Sequence, residues 1–257
     1  MVGVGHVELH ETGIRLSPMD GDELMSRSLR TPRAAAIAGV LFALLLTTTL
    51  VLIRLATPSD AGEVGAWLID PSRKRMIVLA LNLVPFAGIA FLWFIGVVRD
   101  RIGQREDRFF ATVFLGSGLL FVALLFVASA VTAAFLGELV ARTGSPNVVS
   151  GFGRRVGAVV LHTYAMRMAA VFTFSTATIG LRTRFIPRWL AFSGYVIGLV
   201  LLLAAGITPW VELIFPAWIL LLSLDTLIKS LGEGRAAQQV PSAPAHPADA
   251  EQAPRSS

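Results

Sequence analysis

The side chain with the clearest chemical consequence is Arg167, which lies inside the long apolar segment 157–181. A guanidinium stays charged at any ordinary pH, and placing one in the middle of a membrane-spanning helix costs about 2.5–3.5 kcal/mol. Acidic or polar groups from neighbouring segments must therefore compensate it. Because helical side chains lean toward the N-terminus of their helix, Arg167 is expected to reach toward the end at which this segment begins.

Arg167 is predicted to belong to an intramembrane polar cluster in one half of a helical bundle. Glu212 and Glu138 are its candidate ion-pair partners, because both acids fall in that half. The alternative role of the cation is to bind an anionic or polar solute. The other members of the predicted cluster are Asn82, His162, Thr163 and Tyr164.

The cluster members on the helix of Arg167 face different directions if each residue turns the helix by about 100°. Thr163 and Tyr164 share the face of Arg167, whereas His162 lies about 140° away from it. The histidine is therefore predicted to bond a hydroxyl or a carbonyl of a neighbouring helix. No cofactor and no metal site are predicted.

The composition is that of a protein whose solvent is the bilayer. Hydrophobic residues make up 54% of the 257 residues and charged residues 15%, whereas soluble domains carry about 25% charged residues. The net charge of +5 is assigned to membrane topology and to contact with anionic lipid, and no nucleic-acid partner is predicted. The absence of cysteine excludes disulfides, thiolate zinc sites and cysteine nucleophiles.

Apolar segments long enough to cross a hydrocarbon core of about 30 Å predict an all-α polytopic membrane protein with a six-transmembrane-helix bundle. Residues 1–33 are predicted to form a cytoplasmic tail. Residues 229–257, rich in Pro, Ala and Ser, are predicted to form a disordered cytoplasmic tail. The six predicted crossings are 34–55, 76–98, 109–138, 157–181, 189–206 and 210–228.

The positions of the basic residues predict the orientation of the bundle. With the N-terminus inside, the inner tails and loops hold fourteen Lys and Arg residues and the outer loops hold seven. Short loops rich in Lys and Arg stay on the cytoplasmic side, so both termini are predicted to be cytoplasmic. The predicted location is the inner membrane of a bacterium.

The glycine pair Gly194 and Gly198 forms a GxxxG pattern in the fifth predicted crossing. Small residues let helix backbones approach closely in membranes. Two uses are open for this pair, which are the contact face of a homodimer and close packing inside one chain.

Two segments, NLVPFAGIAFLWFIGVVRDRIG and EDRFFATVFLGSGLL, resemble those of uncharacterised bacterial multi-pass integral membrane proteins, catalogued as hypothetical. The resemblance runs through most of the helical region, 34–228. It implies a multi-pass membrane fold and no established activity, so it carries over no functional residue.

Three functions remain open from the sequence. The first is a non-enzymatic membrane component that binds a lipid or a protein partner. The second is a transporter or channel for a small polar solute, with its site around Arg167. The third is an intramembrane enzyme, which needs two titratable groups about 3 Å apart, and the sequence leans against it because no catalytic motif supports it.

Overall fold

The structure is a computed structural model that describes residues 32–56, 70–102, 108–141, 148–184, 186–207 and 209–238. Almost all of these residues are helical, and none of them forms a strand. The π-helical segment Val160–Ala165 and the 3-10 turn Pro209–Leu213 lie between α-helices. The helices are α1 (Pro32–Ala56), α2 (Pro71–Ile102), α3 (Arg108–Ala141), α4 (Val148–Val159), α5 (Met166–Thr183), α6 (Arg188–Ala204) and α7 (Ile214–Gln238).

Helix α2 begins at Pro71, five residues before the predicted crossing, because Asp70 caps its N-terminus. The backbone N–H and the hydroxyl of Ser72 donate to Asp70 Oδ1, at 2.9 and 2.6 Å. Proline suits the first helical position, since its missing N–H would have no partner there. The hydrogen bond from the Ser72 hydroxyl, together with that from its backbone N–H, lowers the pKa of Asp70 below its usual value.

The first and last of the described helices, α1 and α7, run antiparallel. Arg33 Nη2 donates to the carbonyl oxygen of Ser230 at 3.3 Å, and the rings of Phe42 and Phe215 lie 5.9 Å apart. The start of α1 thus meets the far end of α7. We call this end of the bundle the Trp189 end, since Trp189 lies near it in the first turn of α6, and the opposite end the Trp210 end.

Helices α5 and α6 form an antiparallel hairpin. A Cβ added at Gly180 would lie 2.3 Å from Ile186 Cδ1, and one added at Gly198 would lie 3.1 Å from Phe174 Cζ. Positions later in α6 therefore meet positions earlier in α5. The hydroxyls of Thr178 and Tyr195 join the two helices at 2.7 Å, between these contacts.

The middle of the bundle is filled by a cluster of seven buried phenylalanine rings, which we call the phenyl cluster. Phe91 lies at its centre, with ring centroids 4.3 Å from Phe42, 5.3 Å from Phe121 and 5.0 Å from Phe172. Aromatic rings packed at these separations add to the attraction between helices. The other members of the phenyl cluster are Phe94, Phe114 and Phe215.

The all-α architecture is confirmed for the described residues, and five of their helical segments are long and apolar enough to cross a membrane, which suggests a multi-pass membrane protein. The structure does not confirm the predicted number of six crossings. The fifth predicted crossing, 189–206, corresponds to α6, whose 17 residues make it shorter than the five helical segments that are long enough to cross. The five segments are Arg33–Ala56, Pro71–Arg99, Phe109–Ala134, Arg155–Thr183 and Trp210–Gly232.

The predicted start of the disordered C-terminal tail at residue 229 is wrong, because α7 continues to Gln238. Lys229 Nζ pairs with Asp225 Oδ2 at 2.7 Å, one helical turn earlier. The helix continues through Gly232 and Gly234 to the good helix formers Arg235, Ala236, Ala237 and Gln238, and the first proline after them is Pro241. Residues 1–31 and 239–257 lie outside the described residues.

The two glycines of the GxxxG pattern pack inside the chain. A Cβ added at Gly194 would lie 2.8 Å from Trp218 Cζ2 and 3.1 Å from Ala177 Cβ, while Gly198 faces the ring of Phe174. Both glycines are buried. Close packing within one chain is therefore confirmed, and a homodimer stays a prediction that would need another surface.

Candidate functional site

A histidine and a buried acid from two different parts of the chain meet at the Trp210 end. His162 Nδ1 and Glu212 Oε1 share a hydrogen bond, although 50 residues separate them in the chain. The Glu212 side chain is 3% exposed and that of His162 is 30% exposed. The Glu212 carboxyl group is thus buried in the bundle, whereas its partner, the imidazole of His162, is partly exposed at the surface.

Both partners lie on irregular helical segments. His162 belongs to the π segment Val160–Ala165, and Glu212 belongs to the 3-10 turn Pro209–Leu213. Single π turns inside α-helices occur often at functional sites. Pro216 has no N–H, so it cannot donate to the carbonyl of Glu212 four residues earlier, and regular α-helical bonding cannot run through the turn.

A tight turn brings the two segments together. Gly206, just after α6, adopts a φ of +86°, which side chains other than glycine rarely tolerate. A Cβ added there would lie 3.8 Å from Thr163 Oγ1 and 3.9 Å from the carbonyl oxygen of His162. The chain leaving α6 therefore runs along the π segment before it turns back as the 3-10 turn that carries Glu212.

Arg167 lies one turn beyond this pair and is half-buried. Its Nη1 donates to the carbonyl oxygen of Thr163 at 2.9 Å. The side chain therefore runs toward the Trp210 end, in the direction predicted. Five residues, or about 7 Å, separate Arg167 from His162, whereas about 22 Å of helix separate it from Arg182 at the opposite end.

The predicted ion pair between Arg167 and Glu212 is wrong, because Glu212 bonds His162 instead. The other predicted acid, Glu138, lies on α3, but its side chain is outside the described residues. Among the side chains that the structure describes, no acid pairs with Arg167. Its described hydrogen bond leaves the guanidinium with further N–H donors, since this group carries five.

Two members of the predicted cluster lie apart from this site. Asn82 is exposed, and its Nδ2 donates to the carbonyl oxygen of Val78 in its own helix at 2.8 Å. Tyr164 is 56% exposed and so faces away from the bundle interior. The structure thus brings together His162, Glu212, Thr163 and Arg167, which we call the Trp210-end site.

The pairing of His162 with Glu212 was missed from the sequence, which predicted a hydroxyl or carbonyl partner for the histidine. A usable signal was present. In an antiparallel bundle, a residue near the start of the fourth crossing and one near the start of the sixth lie at the same depth. His162 and Glu212 hold these two positions.

The Trp210-end site combines a buried hydrogen-bonded acid with a fixed cation. Within the described residues, no three His, Asp or Glu side chains come close enough to hold a metal ion. The arrangement suits recognition of an anionic or polar group by Arg167. The Arg167 side chain is held by its bond to the π segment, and the π segment is held by the bond between His162 and Glu212.

Comparisons of the chain with protein-family models, with curated proteins and with solved structures find no match. The resemblance to bacterial multi-pass membrane proteins stays a prediction. Function is therefore inferred from the residues of this chain.

Proposed function

We propose that this chain is a non-enzymatic component of a bacterial inner membrane that binds a phospholipid headgroup through Arg167. The observation that carries the proposal is that Arg167 lies in an apolar helix without an acid partner among the described side chains. This arginine lies in a helical segment that is long and apolar enough to cross a membrane, and the buried acid nearest to it in the site is already paired with His162. A phosphate group would supply a negative charge that no described side chain supplies to Arg167, and arginine binds phosphate through several hydrogen bonds at once.

The proposal includes six crossings, with α6 as the fifth. Its 17 residues give about 26 Å of helix, close to the thickness of a hydrocarbon core, and it runs antiparallel to α5 over its length. Trp189, in its first turn, and Trp210, after its last residue, are 61% and 56% exposed, and exposed tryptophans favour the two membrane interfaces. With six crossings, the excess of Lys and Arg in the predicted inner tails and loops places the Trp210 end outward and both termini in the cytoplasm.

The packing of the bundle favours binding over passage of a solute. The phenyl cluster occupies the middle of the bundle, and its rings are at most 2% exposed. A polar solute moving from the Trp210-end site to the Trp189 end would have to displace these rings. Binding at one end requires no such rearrangement.

The test is lipid binding by the purified full chain. Native mass spectrometry would count molecules of phosphatidylglycerol, and of a diacylglycerol without phosphate, retained by the wild type and by Arg167→Gln. We expect the substitution to weaken phospholipid binding at least tenfold, because hydrogen bonds to charged groups contribute about 1.5–3 kcal/mol.

Arg155→Gln is the matched control, since Arg155 is exposed at the same end and in the same continuous helix. It should leave binding at this site unchanged. Equal retention of phospholipid by Arg167→Gln and the wild type would overturn the proposal, as would equal binding of diacylglycerol and phosphatidylglycerol.

A second candidate, transport of a small polar solute, is favoured by one specific observation. Glu212 is a buried acid on a helix whose start is broken by a 3-10 turn, and transporters build their ion and proton sites in such interrupted helices. A solute flux through the reconstituted protein that Glu212→Gln abolishes would favour this function over lipid binding alone.

Catalysis is less well supported. His162 and Glu212 meet the geometric requirement for an acid–base pair, because they are in hydrogen-bond contact. However, the Glu212 side chain is 3% exposed, so a substrate could not reach it without displacing the 3-10 turn. We therefore favour a role for this pair in holding the site together.

A further inference from the structure

The turn between α5 and α6, at the Trp189 end, carries a second group of cations. Arg184 and Arg188 are both exposed. No described acid pairs with either of them, and from Arg182 to Trp189 the sequence contains no Asp or Glu. The acid Asp225 on α7 is occupied by Lys229. Within the described residues, no acid thus compensates the positive charge of the two arginines.

The backbone of this turn is fixed by packing. Arg184 caps α5 in the left-handed conformation, with a φ of 53°. Ile186 is buried and fills the space left open by Gly180, where an added Cβ would lie 2.3 Å from its Cδ1. The carbonyl oxygen of Pro187 accepts from the N–H of Leu190 at 3.0 Å. The spacing between the arginines is therefore set by the fold.

The surroundings of the turn are those of a membrane interface. Trp189 follows Arg188 directly and is 61% exposed, as interfacial tryptophans are. Helix α6 begins here with no side chain capping its N-terminus, and the positive end of its dipole adds to the field of the arginines. An anionic group at this position would meet two guanidinium groups.

We propose that Arg184 and Arg188 form a binding site for the headgroup of an anionic phospholipid in the leaflet at the Trp189 end. The site is at the opposite end of the bundle from Arg167 and does not depend on the proposed function. It also differs in selectivity. Arg167 would recognise any lipid phosphate, whereas this exposed pair would select lipids of net negative charge.

The experiment measures binding of phosphatidylglycerol and of phosphatidylcholine to the full chain in micelles. The wild type should prefer phosphatidylglycerol at this site. Arg184→Gln/Arg188→Gln should weaken that binding about 30-fold, since each basic residue at a membrane surface contributes about 1 kcal/mol. Arg184→Lys/Arg188→Lys should restore most of it, because the effect is one of charge.

The matched control is Arg73→Gln/Lys74→Gln, which removes two basic residues at the Trp210 end and should leave this binding unchanged. An equal loss in the control would overturn the proposal, because it would show a response to net charge alone. Equal affinity for the two lipids would also overturn it, as would complete displacement of phosphatidylglycerol by millimolar inorganic phosphate, which would identify a site for soluble anions.

Discussion

The contact between His162 and Glu212 links two parts of the chain that no other described polar contact joins. Glu212 is 3% exposed, so its carboxyl group has lost most of its contact with water. A buried polar group that loses its hydrogen-bond partner costs about 1–3 kcal/mol. The histidine therefore matters for stability whatever ligand the site holds.

His162→Ala is expected to lower the free energy of unfolding by about 1–3 kcal/mol, because it leaves the Glu212 carboxyl without its partner. The measurement is unfolding of the purified protein in mild detergent on titration with a denaturing detergent. Glu212→Gln should cost less, since an amide can still bond the imidazole. Arg155→Gln, at an exposed position, should change stability by less than about 0.5 kcal/mol.

Equal stability of His162→Ala and the wild type would contradict this account of the pair. The double variant His162→Ala/Glu212→Ala should lose less than the sum of the two single variants, because each single change already breaks the same bond.

The sequence predicted which residues carry charge in the apolar region but not how they pair. Arg167 was correctly expected to reach toward the start of its helix, since that direction follows from helix geometry alone. The pairing is not predictable from the sequence, because an α-helix turns by about 100° per residue and the π segment Val160–Ala165 departs from that geometry. The 3-10 turn around Glu212 has the same effect in the other helix.

At the scale of elements, the helix contacts depend on positions where only a glycine fits. Gly194 lets α6 lie against Trp218 of α7, whose ring is 1% exposed and whose Nε1 donates to the carbonyl oxygen of Leu190 at 3.2 Å. The ring is thus held by packing and by a hydrogen bond. It cannot move aside without losing both.

Gly194→Ala is expected to destabilise the protein by about 1–3 kcal/mol, because the added Cβ would lie 2.8 Å from Trp218 Cζ2. Unfolding in detergent measures the change. Gly116→Ala in α3 is the matched control, since a Cβ there meets nothing within 4 Å. That control should be neutral or stabilising by up to about 1 kcal/mol through helix propensity. Equal effects of the two substitutions would contradict the packing argument.

The positions of the helices were largely predictable, because a membrane-spanning helix needs only a long apolar run, and such runs are legible in the sequence. The residues at which the helices begin and end were less predictable. Asp70 and Pro71 extend α2 before its apolar run, and Trp210 lies in the 3-10 turn that precedes α7. These ends depend on hydrogen bonds of single residues, which hydropathy does not report.

At the scale of the whole molecule, the orientation of the chain depends on whether α6 crosses the membrane. With α6 as a crossing, the number of crossings is even, and Pro32 and Gln238 lie on the same side. The contact between Arg33 and Ser230 already brings these two helix ends to one end of the bundle. The basic residues of the tails and loops taken together favour the same arrangement, since twice as many fall on the predicted inner side.

Single cysteines introduced into this cysteine-free chain test the crossing directly. Ile207→Cys lies in the turn after α6, where the residue is 77% exposed, and Arg184→Cys lies in the turn before it. In intact cells a membrane-impermeant maleimide should label Ile207→Cys and the reference Arg155→Cys but spare Arg184→Cys, and permeabilised cells should show labelling of all three. Labelling of both turns from the same side would mean that α6 does not cross, because the two turns could then not be separated by the bilayer. Labelling of Arg184→Cys alone would reverse the orientation and place the Trp210-end site on the cytoplasmic face.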